Sequence, residues 1–333
     1  MSSMQKIGVL GAGAWGTALA AAARRAGRDV VLWSRRPILA EALEQTHQNP
    51  DYLPGIDLDP AIEATAALER VTAVDALLLV TPAQRLRDMA GALSAHLQTG
   101  CPVVSCSKGI EDASGKTMSE VLADVLPDNP VAVLSGPTFA AEVARGQPSA
   151  TTLAANDPGL AAALVTALGS RSFRPYQSDD PIGAEIGGAV KNVMAIACGI
   201  VAGRSLGDNT RAALITRGLA EIGRLSLAKG GRRETLMGLS GLGDLTLTCS
   251  AMQSRNFSLG YALGQGRPLS DILAERASIT EGVFSARAVS DLATRLGLEM
   301  PITESVDAVL NKSAEIDPTI EALLARPFKS EHI

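Results

Sequence analysis

Histidine and cysteine are scarce in this sequence, and both shortages narrow its chemistry. His47, His96 and His332 are the only histidines in 333 residues. None has the companions that would make a metal site or a His–Asp proton relay. The four cysteines, at 101, 106, 198 and 249, show neither a CxxC pair nor a Cys/His ligand spacing. They read as reduced thiols, neither a disulfide frame nor a zinc site. Positive charge is also short: 30 Lys+Arg against 35 Asp+Glu give a net charge of −5 with no basic run to offset it, which argues against nucleic-acid binding. The longest apolar stretch, Ile186 to Ala202, is interrupted by Lys191 and Asn192 and is not read as a membrane span. Internal repeats and low-complexity tracts are missing. The first strand starts almost at once, which leaves no room for a signal peptide and makes the cytoplasm the expected compartment. The remainder is ordinary: 46% apolar and 20% charged residues describe a folded chain of about two domains' length.

The chain is organised around Gly11-Ala12-Gly13-Ala14-Trp15-Gly16, placed between the apolar run Ile7–Leu10 and the alanine-rich stretch Thr17–Ala23. Strand, glycine turn and helix in that order form a dinucleotide-binding signature. Gly11 makes the tight turn, Gly13 admits a pyrophosphate to the backbone, and Gly16 lets the helix pack on the strand. The helix N-terminus then offers N–H donors and a partial positive charge to phosphates. In an NAD-type site an Asp or Glu about 20 residues further on accepts from the ribose 2′-OH. Here that place holds Ser34-Arg35-Arg36 and no carboxylate. Two guanidiniums suit a 2′-phosphate, so NADP(H) is favoured without excluding NAD(H); a plain solvated basic turn is the alternative.

Strand and helix patterns alternate through the first half. Val30–Trp33, Ile62–Thr65, Asp75–Val80, Pro102–Ser105, Val131–Leu134 and Ala150–Ala154 read as strands, with Asn49–Gly55 as loop. Such alternation implies a predominantly parallel sheet covered on both faces, with ligands beyond the carboxyl ends of its strands. Two loops there carry polar groups: Lys108, and Gly136 to Thr138 ahead of a helix. A surface lysine, and a turn with Thr138 as N-cap, are the plainer readings. From Pro181 the β pattern stops and helical segments follow. The expected architecture is therefore an α/β Rossmann-like N-terminal domain over residues 1–180 and an all-α C-terminal domain over 181–333.

Within the Ile182–Ala202 segment, Gly187, Lys191, Ala195, Cys198 and Ala202 fall on one helical stripe, and all but the lysine are small. Desolvation would make such an ammonium able to give and take a proton near neutrality; a snorkelling lysine is the alternative. Asn192 beside it could orient a substrate oxygen. The stretch Gly238–Thr246 is too glycine-rich for regular helix and brings Asp244 into a flexible apolar loop. Ser254-Arg255-Asn256 opens a helix with hydroxyl, guanidinium and amide, a natural phosphate receptor, or else a simple N-cap with a solvated arginine. Glu281 starts another helix and can complement its dipole. With no histidine placed for it, lysine is left as the acid/base.

GAGAWGTALA at 11–20, SKGIE at 107–111, LSGPTFAAEVA at 134–144, AVKNVMAIACGI at 189–200, GLSGLGDLTLTC at 238–249, SRN at 254–256 and EG at 281–282 together carry a resemblance. Their ordered set resembles the bacterial, soluble NAD(P)-dependent sn-glycerol-3-phosphate dehydrogenase family. Ser105-Cys106 ahead of SKGIE is a mild departure from it. The resemblance implies a Rossmann domain followed by a helical domain like the C-terminal one of 6-phosphogluconate dehydrogenase, commonly in a homodimer. It implies reduction of dihydroxyacetone phosphate to sn-glycerol 3-phosphate for phospholipid synthesis. Lys191 looks like the proton acceptor of the reverse reaction. Gly136, Thr138, Asp244, Ser254, Arg255 and Asn256 look like substrate positions, and Lys108 looks like a residue touching both substrate and cofactor. Ala14, Trp15, Arg35, Ala140, Ile279 and Glu281 look like dinucleotide contacts, with Arg255 close to them. A 6-phosphogluconate-type β-hydroxyacid dehydrogenase and a silent NADP(H) sensor are the rival readings.

Overall fold

In the computed structural model of the chain, residues 4–275, 281–328 and 330 are described. Its contacts divide it into two compact units. One runs to Lys108 and resumes over Met118–Pro181; the other joins Gly109–Thr117 to the chain from Ile182 onward.

Among its described residues the first unit holds ten strands: β1 (Lys6–Leu10), β2 (Asp29–Trp33), β3 (Gln48–Asn49), β4 (Leu53–Asp57), β5 (Ile62–Thr65), β6 (Ala76–Leu79), β7 (Val103–Ser105), β8 (Val131–Ser135), β9 (Ser149–Ala155) and β10 (Phe173–Ser178). Eight of them form a sheet in the order β10-β9-β8-β7-β6-β1-β2-β5, and β3 and β4 make a separate antiparallel hairpin. The six strands from β8 to β5 are parallel. β9 runs antiparallel to β8, and β10 follows it. The central strand β6 is Ala-Leu-Leu-Leu with no exposed residue, as expected where helices cover both faces. From β1 the chain builds outward through β2 and β5, then crosses back to lay β6, β7 and β8 on the other side. The point of reversal lies between β1 and β6, where ligands of open α/β sheets bind.

Two strand features differ from expectation. Asn49–Gly55, read as loop, contributes to the β3–β4 hairpin. β10 was not foreseen, because Pro175 sits inside it; on a sheet edge, the missing N–H costs no ladder hydrogen bond.

The second unit, as described, is helical. Its longest helix, Pro181–Gly203, is long and apolar enough to cross a membrane, yet 89% of its most apolar window is buried in the fold. Glycines on two helices let their backbones touch. A Cβ on Gly199 would lie 2.2 Å from the Phe257 carbonyl oxygen, and one on Gly260 would lie 2.1 Å from that of Ile196. Gly203 and Gly264 repeat the contact one turn along. This seats the Arg255–Gly264 helix on the Pro181–Gly203 helix at backbone distance. The short segment Gly109–Thr117 is clasped by the Glu281–Arg295 helix: Arg287 donates to the two Asp112 carboxylate oxygens through Nε and Nη2, and Arg295 donates to the Ser114 carbonyl at 3.3 Å.

Gly260→Ala should therefore lower stability by about 2–3 kcal/mol in urea unfolding, since neither backbone can yield. Gly223 lies mid-helix with nothing within 4 Å of its hypothetical Cβ. Gly223→Ala should raise stability by up to about 1 kcal/mol in the same assay.

Candidate active site

The glycine turn has the geometry its sequence implied. Gly11 adopts φ +124°, donates its N–H to the Trp33 carbonyl at 3.1 Å, and would press a Cβ to 2.2 Å from the Val80 carbonyl oxygen. Gly16 sits under that turn, its hypothetical Cβ 1.7 Å from the Gly11 carbonyl oxygen. Gly13 has nothing within 4 Å on the side where a Cβ would point. The Ala14–Arg25 helix starts from Gly13 with no side-chain cap and no acidic residue in its first turn. Its N–H groups and positive end are thus left for an anion. The Trp15 indole Nε1 is buried without a hydrogen-bond partner, a donor that an acceptor on a bound group would satisfy. Open backbone, uncapped helix and orphaned donor all fit a dinucleotide.

Of the other residues expected at the dinucleotide, Arg35 and Arg36 follow the carboxyl end of β2, Lys108 that of β7 and Ala140 that of β8. Arg35 is exposed just past β2 and has no ion pair among the described residues. Arg36 is different: its Nη1 lies 2.5 Å from Asp51 Oδ2. Hydrogen bonding to Asp51, its charge, and a hydrogen bond with Tyr52 hold the guanidinium above its ordinary pKa. Both guanidiniums read as suiting a 2′-phosphate are thus exposed, with Arg36 also engaged by Asp51. Ala140 opens the Ala140–Ala144 helix, which packs on the Ala14–Arg25 helix. Past β7, Lys108 Nζ donates to the Gly136 carbonyl at 3.0 Å, which joins the two polar loops. Gly136 has φ +154°, and a Cβ there would meet Thr151 Cα at 2.9 Å. Thr138 does not cap the helix after it; Phe139 is the N-cap residue, and Thr138 Oγ1 donates to the Gly136 carbonyl at 3.3 Å. Ile279 lies outside the described residues.

In the second unit, Lys191 is 6% exposed, and its Nζ lies 2.5 Å from Asp244 Oδ1 and 2.9 Å from Thr248 Oγ1. The expectation of a lysine surrounded only by small apolar residues is thus incomplete, because a buried carboxylate stands in contact with it. Asp244 is also not in a flexible loop. Leu239–Gly243 forms a π-turn, and Asp244 begins a regular helix, Asp244–Ser250, fully buried. Gly187 makes that approach feasible: its hypothetical Cβ would be 2.5 Å from the Ser240 carbonyl oxygen. Thr248 was not anticipated. It stands one turn after Asp244 and donates to the Asp244 carbonyl at 2.6 Å, a spacing readable only once this segment is known to be helical.

One residue along, Asn192 Oδ1 accepts from Asn256 Nδ2 at 3.0 Å, and Asn256 Oδ1 accepts from the Gly282 N–H at 3.1 Å. Ser254 caps its helix by accepting from the Phe257 N–H at 3.2 Å. Arg255, the first helical residue, is exposed, and no acidic residue follows in that turn. Glu281 begins the Glu281–Arg295 helix, where a carboxylate suits the dipole.

All four cysteines are buried, unpaired thiols. Burial, and then the Asp75 charge, push Cys101 up to about 11. Cys249 is raised by its hydrogen bond with Cys198 and by burial. Folded protein at about pH 8 should thus resist iodoacetamide, and intact-mass spectra should show alkylation of Cys101 only as pH nears 11. Gly13→Ala should cost no more than about 1 kcal/mol of stability while weakening nicotinamide-dinucleotide binding at least about tenfold, by calorimetry. Gly16→Ala should cost at least about 3 kcal/mol and fail to give folded protein in good yield.

Comparison with known proteins covers nearly the whole chain. The family model described as NAD-dependent glycerol-3-phosphate dehydrogenase N-terminus matches residues 6–161, and its C-terminus counterpart matches 180–321. A glycerol-3-phosphate dehydrogenase [NAD(P)+] of Rhodospirillum rubrum is 58% identical over 326 residues, 98% of this chain and 93% of that protein. Its namesake in Paramagnetospirillum magneticum is 64% identical over 265 residues, 80% of this chain and 96% of its own. The crystal structure of glycerol-3-phosphate dehydrogenase from Coxiella burnetii superposes with a TM-score of 0.93 at 38% identity, covering 97% of this chain and 99% of that one.

Proposed function

The chain belongs to the NAD-dependent glycerol-3-phosphate dehydrogenase family, and from that premise we propose that it interconverts dihydroxyacetone phosphate and sn-glycerol 3-phosphate, with NADP(H) preferred and NAD(H) also used. The relatives' NAD(P)+ names and exposed Arg35 support the cofactor reading. The product would feed glycerophospholipid synthesis, and the four unpaired thiols suit a reducing cytoplasm.

The observation that carries the mechanism is the buried Lys191 ammonium, fixed by Asp244 and Thr248. Gly11–Gly16, Arg35, Lys108 and Ala140 would hold the dinucleotide, whose chemistry when bound would be to supply or accept the hydride. Lys191 gives its proton to the ketone oxygen as negative charge develops there, and is left a neutral amine. In the reverse direction that amine takes the hydroxyl proton. Asp244 acts through Lys191: it holds the ammonium in place and compensates its charge away from water. Arg255, at a helix N-terminus free of acidic residues, and Asn256, locked to Asn192 and Gly282, are the receptor for the substrate phosphate. Lys108 adds positive potential beyond β7, with Gly136 and Thr138 shaping the loop that it bridges.

Loss of NADPH absorbance on adding dihydroxyacetone phosphate tests the activity. Lys191→Ala should lower kcat by about 10²- to 10⁴-fold with little change in KM, whereas Arg255→Ala should mainly raise KM. Removing one partner of a buried ion pair also destabilises by about 3–5 kcal/mol, and replacing both by apolar residues need not. Lys191→Met/Asp244→Leu should therefore recover stability and remain inactive. Turnover near wild type in that double variant would remove Lys191 from the chemistry.

A further inference from the structure

The carboxylate missing from the end of β2 reaches that place from another part of the chain. Ser34, Arg35 and Arg36 follow β2, and the Ser34 hydroxyl fixes the turn by donating to the Arg36 carbonyl at 3.1 Å and accepting from its N–H at 3.2 Å. Against this turn stands Asp51, from the connection between β3 and β4, its Oδ2 2.5 Å from Arg36 Nη1. The connection is anchored. Asn49 is wholly buried, donates to the Ala12 carbonyl at 2.9 Å and to Thr17 Oγ1 at 2.7 Å, and accepts from the Tyr52 N–H at 3.2 Å. One amide thus ties the segment bearing Asp51 to the glycine turn and its helix. Both members of the pair keep solvent access, with side chains 51% and 39% exposed.

We propose that Asp51 sets this chain's choice between the two nicotinamide dinucleotides, as a positioning residue acting through Arg36 and as an acceptor in its own right. The inference rests on the dinucleotide reading above. A ribose 2′-OH is a donor and suits the Asp51 carboxylate with Arg36 still paired to it. A 2′-phosphate needs the Arg36 fork for itself and is repelled by a carboxylate on the same guanidinium. Asp51 therefore moderates the 2′-phosphate preference that Arg35 and Arg36 would otherwise produce and keeps NAD(H) usable. No residue near the end of β2 in the sequence supplies that function; the hairpin does.

Calorimetric titration with adenosine 2′,5′-bisphosphate and with adenosine 5′-monophosphate tests this without turnover. Asp51→Asn should raise the ratio of the two affinities about 3- to 10-fold in favour of the bisphosphate. The gain should shrink between about 0.05 and 0.5 M salt, because the pair is solvent-accessible. Arg36→Gln should move the ratio the other way, and kcat/KM for NADPH over NADH should follow both changes. An unchanged ratio in Asp51→Asn, with both ligands still bound, overturns the proposal, as does a shift of both variants in the same direction. Failure of wild type to bind either ligand would instead overturn the dinucleotide reading itself.

Discussion

The second unit turns on a carboxylate and an ammonium that meet out of water. Each alone would be costly to bury, and together they are tolerable only in close contact. Lys191 and Asp244 are separated by 53 positions in the chain, so their pairing depends on two elements meeting at backbone distance. Gly187 on one element and the π-turn Leu239–Gly243 on the other provide that approach. Thr248 holds the arrangement from the next turn, accepting from the lysine while donating to the Asp244 carbonyl. The proposed proton-transfer group, prepared in this way, needs little reorganisation when charge appears on a substrate oxygen.

The same device of glycines used for contact, more than for flexibility, recurs in both units. Gly16 under the Gly11 carbonyl fixes how a helix leaves a strand and therefore where its N-terminus points. Gly199, Gly203, Gly260 and Gly264 fix how the Arg255–Gly264 helix lies on the Pro181–Gly203 helix. The second arrangement brings Asn256 to Asn192, next in sequence to Lys191. Proposed phosphate receptor and proposed proton donor thus share one rigid support, and backbone contact sets their spacing more tightly than side-chain packing could.

Charge is distributed with similar economy. The helix starting at Ala14 and the one starting at Arg255 have no acidic residue in the first turn, and these are the two proposed to meet phosphates. Glu281, by contrast, stands at the head of its own helix. Asp51 is the exception near the proposed dinucleotide site; an arginine pairs with its carboxylate, and the Asn49 amide ties its segment to the glycine turn.

Local pattern was enough for the alternating strands and helices, the glycine turn with distinct tasks for its three glycines, the helical second half and the lysine on a stripe of small residues. Each of these depends on residues a few positions apart, where periodicity, turn chemistry and helix spacing operate. What eluded it lies in partners distant in sequence. Asp244 read as a loop residue because Gly238–Gly243 masks the start of its helix, and Thr248 had no visible role until that helix was seen. The plainer alternative for Thr138, a helix cap, also fails, because the cap is Phe139. Arg36 looked free for phosphate, yet Asp51, fifteen positions on, already holds it. Sequence determined which chemical groups this chain owns and on which elements they ride. Tertiary structure alone decided which of them are paired, because a salt bridge or a shared amide depends on distance in space, and packing sets that distance.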